Sequence, residues 1–203
     1  MPKGGTDVER LILASRSPRR CELLGRFGIP FETYSPDVDE TCRLPAGDAV
    51  ALLSLRKARA AAAGNPGAFI LAADTLVSLE GVSLGKPSSP DDAMDMLRHL
   101  SGNTHQVYTG ITVMNPSGET FTETDCTDVT FTSVSEEEIR AYVATGEPMD
   151  KAGAYALQGR AGIWVRCLKG SDSSVIGLPL CLTRKLLLKA GYPLISGCMK
   201  ESI

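Results

Sequence analysis

The run Ala68-Phe69-Ile70-Leu71-Ala72-Ala73 is apolar throughout and too short for a buried helix. It lacks the alternation of a strand with one wet side, so it reads as a strand covered on both faces. Covering both faces of a sheet takes helices on both sides, which places the chain in the α/β class. Strand and helix signals alternate from end to end without a repeat or linker. One domain over residues 1–203 is predicted, with 1–9 as a polar extension and 196–203 as a flexible tail.

An apolar strand, Leu11-Ile12-Leu13-Ala14, also opens the chain and runs directly into Ser15-Arg16-Ser17-Pro18-Arg19-Arg20. A helix then reaches Phe27 with Gly28 as its stop, and Phe31–Ser35 is a short strand. Asp48–Ala63 is alanine- and leucine-rich and closes at Gly64-Asn65-Pro66-Gly67, a helix with a sharp end. A hairpin follows around Glu80-Gly81, and Ser89-Pro90-Asp91-Asp92 starts a helix that ends near Leu100. Thr104–Met114 and the threonine-rich Glu119–Val134 are extended segments joined at Asn115-Pro116-Ser117-Gly118, which makes the sheet mixed. Ser135-Glu136-Glu137-Glu138 is a capping box, Ile163–Leu168 a strand, and Leu180–Ala190 a last helix.

Several polar residues fall where chemistry could occur. Ser17 is a good N-cap and Pro18 suits the first helical position, but Arg19 and Arg20 then occupy the first turn, where the macrodipole already places about half a positive charge. The helix starting at Ser89 obeys dipole electrostatics; the one starting at Ser17 defies it. Hydroxyls, free N–H groups and two guanidiniums make a donor-rich site suited to phosphate oxygens. An ordinary capped helix with its arginines in solvent is the other reading the sequence leaves open. Asp74-Thr75 emerges at the carboxyl end of the buried strand, where ligands of open α/β sheets lie. Pro36-Asp37-Val38-Asp39-Glu40 is either a solvated turn or a carboxylate pair for a divalent metal. Lys57 and Lys86 taken alone read as solvated, and His105 and Tyr108 as hydrogen-bonded sheet residues. The Ser/Gly-rich stretch 170–179 is a second set of phosphate donors or a polar loop.

The net charge of −3 gives no broad basic footprint for a nucleic acid polymer, so phosphate recognition should be local and the ligand small. No apolar run approaches the ~20 residues that span a bilayer, and Met1–Glu9 does not resemble a signal peptide, so no membrane contact and a cytoplasmic location are expected. The six scattered cysteines lack a C-x-x-C pair and read as reduced thiols rather than a zinc site.

These residues, in this order, resemble the Maf family of nucleotide pyrophosphatases. The resemblance is carried by Leu13–Arg20 with Glu22-Leu23-Leu24, Ala73-Asp74-Thr75, Gly85-Lys86-Pro87, Leu100-Ser101-Gly102 with Thr104–Gly110, Asp150–Tyr155 and Ile176–Pro179, and covers nearly the whole chain. It implies a single-domain ITPase/Maf-like α/β fold, a mixed sheet flanked by helices around a nucleotide-binding cleft. It implies an enzyme that hydrolyses a nucleoside triphosphate to monophosphate and pyrophosphate with a divalent cation, Mg²⁺ or Mn²⁺. By resemblance Asp74 is the proton acceptor; Arg20, Lys57 and Lys86 hold the triphosphate together with Ser15 and Ser17; Asp74 and Glu40 are metal ligands, with Asp39 beside them. Arg19, Thr75 and Gln158 fall at positions that separate subfamilies, and this combination resembles the branch acting on dTTP and UTP. The branch acting on methylated GTP, and a non-catalytic nucleotide sensor tied to septum formation, are the alternatives. A homodimer is the expected assembly. The turn 171–175 departs from the family pattern at Asp172 and Ser174, where an aromatic and an asparagine are expected.

Overall fold

The computed structural model describes residues 9–194, so the 1–9 extension, apart from Glu9, and the tail at 196–203 lie outside the described residues. In chain order the elements are β1 (Leu11–Leu13), α1 (Pro18–Gly25), β2 (Glu32–Thr33), α2 (Ala46–Gly64), β3 (Phe69–Leu79), β4 (Val82–Leu84), α3 (Pro90–Leu100), β5 (Thr104–Met114), β6 (Thr120–Phe131), α4 (Glu136–Val143), β7 (Val165–Lys169), α5 (Asp172–Ile176) and α6 (Leu180–Lys189). The strands form one mixed sheet in the order β2-β1-β3-β5-β6-β7, with β4 paired to β3. β1 runs parallel to β2 and β3, and the remaining pairs are antiparallel.

The apolar run is covered on both faces, as its composition requires. Leu71 and Ala73 pack into a cluster with Leu23 and Leu24 of α1 and Leu186 and Leu187 of α6. Ile70 and Ala72 face the other way, against Ala58 and Ala61 of α2. A third cluster, with Val107, Phe131, Tyr142 and Trp164, joins the far part of the sheet to α3 and α4. Small residues let α2 lie close to the sheet: a side chain built on Gly110 of β5 would come within 2.3 Å of the Val50 carbonyl oxygen.

The register of β3 creates the opening that matters most. β5 pairs along one edge of β3 from Ile70 to Ser78. On the opposite edge β1 covers Phe69 to Leu71 and β4 covers Val77 to Leu79. The edge between them is left without a strand, because the chain leaves β1 at Ala14 and turns into α1. Asp74 and Thr75 occupy that gap. They are therefore mid-strand rather than at the carboxyl end; the strand outruns its parallel partner instead of stopping. Ile163 and Trp164 likewise belong to a 3₁₀ turn at Arg160–Trp164, and the last strand starts at Val165.

Candidate functional site

A cleft of about 910 Å³ opens at the gap in β3. It is lined by Ser15, Ser17, Arg19 and Arg20 from the first turn, Glu40 from the acidic loop, Lys57 from α2, Asp74 and Thr75 from β3, Lys86, and Gln158. The structure thus brings the sequence-predicted site residues to one surface. Asp39 is the exception: its carboxylate accepts the Thr41 N–H at 2.8 Å in a local turn.

Alternation along β3 sends Asp74 and Thr75 to opposite faces of the sheet. Asp74 meets α2, where Lys57 Nζ lies 2.6 Å from its Oδ1. The same ammonium lies 2.7 Å from Glu40 Oε1. The pair is shielded, with side-chain exposure of 13% for Lys57 and 11% for Asp74. The hydrogen bond from Lys57 holds the Glu40 carboxyl below the usual carboxylate range. Lys57, which reads in sequence as an ordinary helical surface residue, is here the central cation of a carboxylate pair.

Thr75 faces α1 and α5. Its hydroxyl accepts from Arg20 Nη2 at 3.1 Å and shares a 3.0 Å hydrogen bond with Thr109, which donates to the Ser174 carbonyl at 2.8 Å. Arg20 also donates from Nε to the Gly177 carbonyl at 2.8 Å and from Nη1 to Ser15 Oγ at 3.4 Å. Gly177 has φ +121°, a conformation that favours glycine, and a side chain there would crowd Arg20 and Thr75 at 3.4 Å. Burial lowers the Arg20 pKa, because the folded protein offers its charge less solvation than water does. Ser17 caps α1 by accepting the Arg20 N–H at 3.5 Å, while Ser15 accepts the Ser17 N–H at 3.1 Å.

Arg19 reaches across the cleft mouth to Asp150, 3.6 Å between Nη1 and Oδ2. Lys86 is exposed on its turn, which is held by a 3.0 Å bond from the Gly153 N–H to the Gly85 carbonyl. Gln158 is exposed on the rim. In the second Ser/Gly stretch the hydroxyls of Ser171 and Ser173 are engaged locally. Ser171 caps α5, Ser171 and Ser173 bond each other at 2.8 Å, and Ser173 accepts the Leu180 N–H. That loop serves the site through the Gly177 carbonyl and through Ile176, which lines the cleft. His105 is fully buried with Nε2 2.8 Å from the Tyr155 hydroxyl, beneath the cleft rather than in it.

The sequence stretches singled out above contain Thr109, Gly110 and Gly177, which support the site, and Asp37, Asp150 and Lys151, which line the cleft, but nothing in them assigns these six residues individual roles. Thr109, Gly110 and Gly177 act through neighbours remote in sequence, which no local pattern marks. Among the described residues no group of three His, Cys, Asp or Glu side chains could hold a metal alone. Two carboxylates within hydrogen-bond distance of one ammonium do fit a cation such as Mg²⁺, which takes one or two carboxylates and completes its shell with phosphate oxygens and water.

Six basic and four acidic side chains line the cleft, so it carries surplus positive charge in a chain whose net charge is −3. The arrangement suits a small polyanion beside a shielded carboxylate.

The Maf-like protein profile matches residues 10–190. A dTTP/UTP pyrophosphatase of Moorella thermoacetica is 49% identical over 186 residues, 89% of this chain and 94% of that protein. One of Symbiobacterium thermophilum is 47% identical over 193 residues, 94% and 98% of the two chains. One of Myxococcus xanthus is 47% identical over 192 residues, 93% and 96% of the two chains. The Staphylococcus aureus Ham1 structure overlays on 93% of this chain and 99% of its own with a TM-score of 0.48 and 15% identity, a distance at which the overlay adds nothing to the assignment. The profile runs from just before β1 to the end of α6, and relatives nearly half identical span most of the chain: it belongs to the Maf-like protein family.

Proposed function

We propose that this protein is a nucleoside triphosphate pyrophosphatase acting on dTTP and UTP, with water as co-substrate and the monophosphate and pyrophosphate as products. The observation that carries the reading is the shielded Lys57–Asp74 pair set at the edge of a cleft with surplus positive charge. The names of the relatives support the substrate class.

In this reading the triphosphate lies along the first turn, with Ser15, Ser17 and the α1 N–H groups facing its oxygens and Arg20, Lys57 and Lys86 offsetting its charge. Asp74 accepts the proton of the attacking water as the P–O–P link between α- and β-phosphates is cut. Lys57 orients that carboxylate from the α2 side. Asp74 and Glu40 would hold a divalent cation, Mg²⁺ or Mn²⁺, which when bound supplies further charge neutralisation at the bridging oxygens. Gln158 presents a donor and an acceptor on one amide, matching the N–H and carbonyl edge shared by thymine and uracil. Arg19 and Thr75 act with it in substrate choice: Arg19 from the mouth of the cleft, Thr75 by fixing Arg20. A single functional unit over residues 1–203, working as a cytoplasmic homodimer, goes with this reading by family likeness.

The test is a panel of nucleoside triphosphates with Mg²⁺, measured for pyrophosphate with the wild-type chain and Asp74→Asn. Pyrophosphate from dTTP and UTP is expected, with turnover in the variant down by roughly 10²–10⁴ and nucleotide still bound. Release of orthophosphate without pyrophosphate, or full turnover by Asp74→Asn, would sink the reading.

A further inference from the structure

The cleft wall from Asp150 to Gln158 is a loop with no strand or α-helix of its own. Loops hold a geometry only where something pins them. Here the pin lies outside the cleft. The Glu147 carboxylate accepts the Tyr142 hydroxyl at 3.0 Å and the Arg160 backbone N–H at 3.1 Å, both through Oε1. The Glu147 carbonyl accepts Lys151 Nζ at 2.7 Å. The Tyr142 hydroxyl in turn accepts the Ala156 N–H at 3.3 Å. One glutamate thus ties the start of the wall to its end, and the tyrosine it binds reaches the middle.

Two further observations point to the same contact. Gly159 has φ −100°, which any residue can adopt, so its backbone does not call for glycine. A side chain there would instead meet Glu147 Oε1 at 1.9 Å and its Cδ at 2.7 Å, so the glycine makes room for the carboxylate. Tyr142 is buried and packs edge-on against Trp164 with ring centroids 5.0 Å apart, which fixes the hydroxyl that the glutamate receives.

We propose that Glu147 is the positioning residue for the substrate-facing wall 150–158, and that through Gln158 it sets base selectivity without touching the nucleotide. The selectivity half rests on the function proposed above; the clasp itself does not.

The experiment uses the full chain and the variants Glu147→Ala, Gly159→Ala and Glu147→Gln. Amide hydrogen exchange is followed across 152–158, and kcat/KM is compared for UTP and CTP, whose base edges present opposite donor and acceptor patterns to one amide. In Glu147→Ala and Gly159→Ala, exchange across the wall should quicken about tenfold while β3 and β5 keep their protection, the scale expected for losing one or two hydrogen bonds. The preference for UTP over CTP should fall by about tenfold. Glu147→Gln keeps an acceptor oxygen and should restore both readouts to within about twofold. Unchanged wall exchange in Glu147→Ala overturns the proposal, as does a rise spread evenly over β3 and β5, the mark of general destabilisation. Equal loss of rate on UTP and CTP removes the selectivity half. If the wild-type chain releases pyrophosphate from no triphosphate, the functional reading falls and the exchange data alone decide the clasp.

Discussion

Gly110 is the directly paired neighbour of Asp74 in the sheet, so a side chain at 110 would stand beside the carboxylate on the face that α2 covers. In Gly110→Ala the new Cβ would lie 2.3 Å from the Val50 oxygen, 2.4 Å from the Val50 carbonyl carbon and 2.8 Å from the Ala51 nitrogen, all backbone atoms of α2. Moving the closest contact out to 3.4 Å, where ordinary contact begins, takes a shift of the helix by about 1 Å. A rotamer change cannot relieve it. Lys57 rides on the same helix two turns on, so its 2.6 Å bond to Asp74 would stretch past hydrogen-bond length. Overpacking of this kind costs about 1–3 kcal/mol, which for a chain of this size is a fall in Tm of roughly 2–12 °C. A 1 Å misplacement at a reacting group costs about 10²-fold in turnover. Thermal unfolding and pyrophosphate release measure the two effects, with Gly25→Ala as control, since a side chain there has nothing within 4 Å. Wild-type turnover in Gly110→Ala with an unchanged Tm would show that this contact does not set the height of α2, and the account of how Lys57 meets Asp74 would fail.

Two other outcomes follow from the geometry. Burial pushes the His105 pKa down to about 4, and its Nδ1 is buried without a partner. Between its unfolded value of about 6.5 and about 4 the unfolded chain takes up a proton that the folded chain refuses, so stability falls as pH falls through that window, by roughly 3 kcal/mol in all. Urea unfolding at pH 7 and pH 4.5 should show a smaller decline in His105→Gln than in wild type; identical declines refute the assignment. Removal of divalent ions by EDTA should stop pyrophosphate release and Mg²⁺ should restore it, with Glu40→Gln raising the half-saturating Mg²⁺ concentration by roughly tenfold. Full activity in EDTA would exclude the cation role given to Asp74 and Glu40.

Much of this architecture was legible in the sequence because it depends on local signals. The doubly covered strand, the caps at Ser17, Ser89 and Ser135 and the hairpin at 115–118 each follow from a few adjacent residues. The mid-strand position of Asp74 was not legible, because it depends on where β1 stops relative to β3, a comparison of segments far apart in the chain. Lys57 was undervalued for the same reason: a helical lysine looks the same in sequence whether it faces water or a carboxylate. The polar stretch at 170–179 is compatible in sequence with either phosphate donors or a polar loop. Ser171 and Ser173 are donors by type, but capping α5 and the start of α6 uses them locally.

The electrostatic misfit at the start of α1 has a specific resolution. Arg19 is answered by the Asp150 carboxylate, and Lys57 by two carboxylates. Arg20 is held by neutral oxygens, the Gly177 carbonyl and the hydroxyls of Ser15 and Thr75. Neutral acceptors orient a guanidinium without cancelling its charge, and a guanidinium stays charged even where burial lowers its pKa. Lys86 makes no hydrogen bond or ion pair among the described residues. Arg20 therefore keeps its charge at the same cleft as the exposed Lys86 and the N–H groups of the α1 first turn, with the attraction of Asp74 and Glu40 offsetting it only in part, and its burial costs stability until an anion is present. Anion binding offsets that cost, so ligand affinity and the cation placement that disfavours the empty state have one origin. A polyanion should stabilise the protein more than its contacts with solvated surface cations could, and it should do so through Arg20 first, because its three neutral hydrogen bonds hold it in place before the ligand arrives.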